Sequence, residues 1–130
     1  MKSPNLSKEL LVILEKHALI AQKKSLSALI AESNEYALSI GELSKTNAMI
    51  NLKLVKAIQA TIQKLEKDWS NFDTDSKKWL AAAIIYFIDE EDDSPDLDSF
   101  IGFEDDGEVL NACLKLAGRE DWLIKIEDYD

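Results

Sequence analysis

The clearest period in the chain lies between residues 50 and 69. Ile50, Leu54, Ile58, Ile62, Leu65 and Trp69 step by 4, 4, 4, 3 and 4, while Lys53, Lys56, Lys64 and Lys67 fall on other faces. That spacing predicts an amphipathic helix with one face on a core. Upstream, apolar residues at positions 10, 11, 13, 14, 18, 20, 21, 26, 28, 29 and 30 predict one long first helix, capped by Asn5 or Ser7 and running to about Ala31. Its stripe is wide, which predicts packing on two sides. The polar run Glu32, Ser33, Asn34, Glu35 is expected to end it. Tyr36 to Leu43 then reads as a short extra helix before a loop at Ser44 to Asn47.

Downstream, Asn71 to Asp75 reads as a loop in which Thr74 or Asp75 caps a helix from Ser76 to about Ile88. That helix is rich in alanine and aromatics and therefore central. Asp105 stands three residues before Glu108, a pattern like a capping box, at the start of a helix ending at Gly118. Val109, Leu110, Cys113, Leu114, Leu116 and Ala117 form its buried face. The end, REDWLIKIEDYD, reads either as a short helix capped by Asp121 or as an extended segment docked through Trp122, Leu123, Ile124 and Ile126. No strand alternation, internal repeat or low-complexity linker stands out. The prediction is an all-α fold, a compact bundle of about five or six helices with an acidic inter-helix loop.

Composition supports one folded domain over residues 1–130. With 46% hydrophobic residues, four Gly and two Pro, the chain is long enough to bury a core without disulfides or a structural metal. Cys113 is the single cysteine, so no internal disulfide forms, and no histidine pairs with it at a zinc spacing. A reducing, cytoplasmic setting is the expectation. The apolar run Leu10 to Leu14 is broken by Glu15 and Lys16, too short and too charged for a signal peptide or membrane span. Trp79 to Ile88, ten residues, also falls short of a bilayer.

Charge divides the chain. Residues 1–78 carry 12 Lys and 9 acids, a net of +3, whereas residues 79–130 carry 3 basic and 16 acidic residues, a net of −13. Between Trp79 and Leu114 there is no basic residue. Such a half repels nucleic acid and anionic membrane, because phosphate binding needs Lys and Arg. It attracts cations and basic protein surfaces instead.

Eleven acids crowd residues 89–108: Asp89, Glu90, Glu91, Asp92, Asp93, Asp96, Asp98, Glu104, Asp105, Asp106 and Glu108. Their repulsion calls for an offset, and hard divalent cations, helix N-termini and neighbouring lysines all supply one. No register matches an EF-hand, which needs acids at loop positions 1, 3 and 5, Gly at 6 and Glu at 12.

The order of residues is nevertheless specific. Tyr86-Phe87-Ile88, then Asp92 three before Pro95-Asp96, then Gly102, Asp105-Asp106 and Val109-Leu110, resembles the signature of the YkvA-like family (domain of unknown function 1232). Members of that family show an apolar helix ending in Tyr and two apolar residues, S-P-x-D-x-x-P-D, an apolar linker, G-x-x-D-D and a second apolar helix. The resemblance covers about residues 73–116 as a helical hairpin; residues 1–70 lie outside it. Where the family carries Ser-Pro and apolar residues, this chain has Asp89-Glu90, Glu91, Asp93, Ser94, Asp98 and Glu104. The membrane association supposed for the family's apolar hairpin therefore does not carry over.

Three readings of the cluster follow. In the first, Asp92 and Asp96 accept backbone N–H bonds around Pro95, Gly102 supplies a positive-φ turn and Asp105 caps the next helix. In the second, Asp92, Asp96, Asp105 and Asp106 hold a divalent cation, structurally or for metal-dependent hydrolysis. In the third, Glu90, Glu91, Asp93, Asp98 and Glu104 engage a basic protein partner, for example as an immunity-type inhibitor that mimics the charge of nucleic acid. No catalytic residue and no cofactor site is assigned. His17, the only histidine, reads as a packed or surface residue of the first helix. Cys113 reads as a small core residue, and Trp69, Trp79 and Trp122 as core aromatics. Neither a glycine-rich phosphate loop nor a cysteine-rich metal motif occurs. The expected function is that of a non-enzymatic binding module; a cation-binding protein and a structural or oligomerising helical protein are the alternatives.

Overall fold

A computed structural model describes residues 3–46, 50–88 and 102–129. Five α-helices follow one another: α1 (Lys8–Ala21), α2 (Leu26–Ser44), α3 (Leu52–Asp68), α4 (Thr74–Ile88) and α5 (Gly102–Leu116). Single 3-10 turns lie at Trp69–Asn71, Glu120–Trp122 and Ile126–Tyr129. No strand occurs among the described residues, and the all-α bundle is as expected.

The expected single first helix is two helices. Ser7 caps α1 by accepting from the Leu10 N–H at 3.2 Å. After Ala21 the chain turns through Gln22–Lys24, and Ser25, with extended backbone, caps α2 by accepting from the Ala28 N–H at 3.1 Å. The break lets Leu14 and Ala18 of α1 and Leu29 and Ile30 of α2 face one core from different sides, as α4 packs against both helices.

Nor does the run Glu32–Glu35 end a helix, and Tyr36 to Leu43 belongs to α2. Ser33 is fully buried, but its hydroxyl donates to the Ile30 carbonyl at 2.7 Å, so the helix carries it without an unsatisfied polar atom. Asn34 reaches sideways to α3, its Oδ1 accepting from Gln59 at 2.7 Å and Gln63 at 3.1 Å. These polar residues link helices; they do not break them.

The predicted period of α3 holds. Leu54, Val55, Ile58, Ile62 and Leu65 are buried and Lys53, Lys56, Lys64 and Lys67 exposed. Asn51 caps it through the Leu54 N–H at 3.2 Å. Helix α4 is capped by Asp73, whose Oδ1 accepts from the Ser76 N–H at 2.8 Å, one residue before the expected cap. It is buried on almost every side from Trp79 to Phe87 and packs against α1, α2 and α5.

Helix α5 ends at Leu116, two residues before the expected end at Gly118, which closes the helix. That glycine has φ +79, and the Arg119 N–H returns to the Leu114 carbonyl at 2.9 Å while its own N–H reaches Lys115 at 3.1 Å. This is the double bond pattern that a left-handed glycine permits after a helix. The C-terminal segment then runs back over the body in an extended stretch between two 3-10 turns, with Ile124 buried. Asn111 holds it from both sides: its Nδ2 donates to the Ile124 carbonyl and its Oδ1 accepts from the Ile124 N–H, each at 2.8 Å. Asn51 Nδ2 donates to the Tyr129 carbonyl at 2.7 Å. No helix among the described residues is long and apolar enough to cross a membrane.

Candidate functional site

The hairpin of α4 and α5 frames the acidic segment, so it is the place to look for chemistry. Burial joins the helices, and the Cys113 thiol donates to the Trp79 carbonyl at 3.4 Å. Burial pushes the Cys113 pKa up to about 12. A thiol held in its neutral form is a poor nucleophile, so Cys113 acts as the small core residue expected of it.

Of the acids singled out above, Asp89, Glu90, Glu91, Asp92, Asp93, Asp96 and Asp98 lie outside the described residues, as does Pro95. Glu104, Asp105, Asp106 and Glu108 lie on α5. The helix already begins at Gly102, so Asp105 sits inside the first turn and does not cap it. There, with Glu104, it still favours the helix, because the unsatisfied N–H groups of the first turn carry partial positive charge.

Successive helical side chains diverge by about 100°, and here the two aspartates separate. Asp105 is exposed, whereas Asp106 is 4% exposed. Asp106 shares the inward stripe Phe103, Asp106, Leu110 and Cys113, whose apolar members are all buried. Beside it Gly107 admits a close neighbour: a Cβ there would lie 3.1 Å from Ile126 Cδ1, so the missing side chain lets the C-terminal segment cross α5 closely. Sequence reasoning missed the burial of Asp106, although the 3, 4, 3 step through Phe103 and Leu110 signals it.

Around the outer face of α5, an open groove of about 480 Å³ lies between Ser3–Leu6 and the side chains of Glu108, Asn111, Ala112 and Lys115. No histidine lines it. His17 is 7% exposed and points its ring edge-on at Tyr86, with centroids 6.1 Å apart, in the α1–α4 contact. Trp79 is buried and Trp69 and Trp122 are partly buried. Arg119 fastens the C-terminal segment: its guanidinium lies 5.1 Å over Trp122 and 5.7 Å over Phe72 and donates to Asp68 at 2.6 Å. Among the described residues, no three His, Cys, Asp or Glu side chains group so as to hold a metal.

Comparison of the chain with models of protein families, with characterised proteins and with solved structures finds no match.

Proposed function

We propose that the protein is a non-enzymatic binding module, acting in the cytoplasm, whose acidic segment between α4 and α5 engages a basic protein partner. The observation that carries this reading is the division of charge, a net of −13 over residues 79–130 against +3 before them. Fields of one sign steer and select partners of the other. Asp105 and Glu108, exposed on the outer face of α5, extend the acidic surface onto a rigid element. Glu90, Glu91, Asp93, Asp98 and Glu104 are the contacts proposed for the partner. An inhibitor that covers a nucleic-acid-binding surface is one form such a module takes. The likeness of residues 73–116 to YkvA-like hairpins rests on motif spacing and is part of the same proposal.

The test is retrieval of partners on the full chain from its own cells at low and at high salt. A partner with a basic surface is expected, released by salt. It should be lost from a variant carrying Glu90→Gln, Glu91→Gln, Asp93→Asn, Asp98→Asn and Glu104→Gln that melts like the parent. Equal retention by the variant sinks the reading, as does recovery of nothing at either salt. A melting temperature raised by millimolar Ca²⁺, Mg²⁺ or Mn²⁺, and no longer raised in Asp96→Asn, would favour the cation instead.

A further inference from the structure

We propose that the channel between α3 and α5 is a peptide-binding site, which the chain's own C-terminal segment fills in the manner of an internal ligand. The partner it fits is an extended peptide with two aliphatic side chains two residues apart and acidic residues on either side. The body grips the segment largely through groups that any peptide carries. Asn111 of α5 pairs with both the N–H and the carbonyl of Ile124, each at 2.8 Å, and Asn51 at the cap of α3 donates to the Tyr129 carbonyl at 2.7 Å. Main-chain bonds of this kind give affinity for an extended peptide, and seats for alternate side chains give selection. Ile124 is buried, and Ile126 lies over Gly107, where a Cβ would come within 3.1 Å of its Cδ1. Lys64 of α3 shares an open groove of about 350 Å³ with Asp121 and Asp128 of the segment, so the flanking acids lie beside the lysine face.

The segment is lightly attached. Ile124 is the one buried residue between Arg119 and Tyr129. Beyond the Arg119 N–H bond to the Leu114 carbonyl, its backbone bonds among the described residues are local, from the N–H groups of Trp122, Leu123 and Asp128 to the carbonyls of Arg119, Glu120 and Lys125. A stretch with few buried side chains and no backbone ladder to the body opens well before the global fold does. Opening leaves the Asn111 amide and the notch at Gly107 to the backbone and aliphatic side chains of another chain. The segment therefore competes with the partner, and the fraction of molecules with an open channel sets the apparent affinity. The site uses none of the acids proposed for the basic partner.

Fluorescence anisotropy of a labelled peptide, residues 119–129, with the full chain tests the site. The full chain carrying Ile124→Asp and Ile126→Asp has a weakened segment but keeps Asn51, Asn111 and Gly107. It should bind the peptide at least about tenfold more tightly than the parent. Adding Asn111→Ala should cost about tenfold, the worth of the two bonds lost. A peptide of otherwise unrelated sequence that keeps two isoleucines two residues apart between acids should bind within about tenfold of the first, and more weakly once its acids are replaced by amides. Should the double variant fail to melt cooperatively, Arg119→Ala, which loosens one end alone, takes its place with the same order expected. No binding by the opened variant overturns the proposal. So does equal binding with Asn111→Ala, or binding confined to the chain's own sequence, which would make the segment a part of the fold and nothing more. Amides of residues 122–129 that exchange no faster than those of α3 overturn it too, because a segment that leaves only on global unfolding admits no partner.

Discussion

Helices α3 and α4 are of similar length and enclose the same core, but they are built on opposite plans. Helix α3 lies at the edge, with a buried apolar face and a solvated lysine face. Helix α4 has almost no outward face between Trp79 and Phe87, because α1, α2 and α5 cover it. A helix so placed cannot carry charge at a tolerable desolvation cost. Its sequence therefore has no charged residue between Lys78 and Asp89, and the acids begin where it ends. Burial thus sets where the acids can begin, after Ile88, and not how many follow.

The contrast is broken most directly at Trp79, which is 2% exposed at the centre of α4. Trp79→Ala should cost about 3–5 kcal/mol, the transfer term plus the cavity left behind. For a domain of this size that lowers the melting temperature by roughly 10–20 °C. Lys64→Ala on the solvated face of α3 should stay within about 0.5 kcal/mol of the parent. Thermal and urea melts of the two variants check the pair; similar losses would mean that α4 is not the centre of the fold.

The same contrast explains what was legible in the sequence. The 3.6-residue period of α3 reports a helix with two faces, so both its existence and its orientation are readable from Ile50 to Trp69. In α4 the absence of polar residues reports burial on all sides. The break after Ala21 was not legible as a break, because Gln22–Ser25 contains neither Gly nor Pro and the apolar stripe resumes at Leu26. Only Ser25, three residues before the amide it caps, marks it. Ser33 misled in the other direction, its hydroxyl being satisfied inside its own helix. At the acidic end, the pattern located the hairpin and the end of α5 but did not separate Asp105 from Asp106. Two neighbouring aspartates look alike until the stripe through Phe103, Leu110 and Cys113 is traced past them.

Helix α5 stands between the two plans, apolar toward α4 and polar toward the C-terminal segment, and Asn111 sharpens the comparison there. Its amide makes two bonds of 2.8 Å to the backbone of Ile124, which is buried. Asn111→Ala leaves that N–H and carbonyl without these partners, at about 1–3 kcal/mol. Amide exchange should accelerate at Ile124 and its neighbours while α3 and α4 exchange as before. Unchanged protection at Ile124 would show that burial of its side chain, and not the amide pairing, holds the segment.

A further expected effect lies inside the α4–α5 contact and grows only at alkaline pH. Burial raises the Cys113 pKa from 9.0 to about 12, so between those values the unfolded chain has released the thiol proton and the folded chain has kept it. The native state then binds more protons than the unfolded state, and stability falls as pH rises. The contribution is complete below pH 9 and is lost above it at about 1.4 kcal/mol per pH unit. Lysines and tyrosines titrate in the same range, which makes the difference between two proteins the informative quantity. Cys113→Ser keeps a donor toward the Trp79 carbonyl but has no proton to release there. Its urea-derived stability should therefore start lower at pH 8 and decline less steeply than the parent's between pH 9 and pH 11. Parallel slopes would mean that the thiol ionises in the folded protein as readily as in the unfolded one, and that the α4–α5 contact admits solvent where α4 is otherwise sealed.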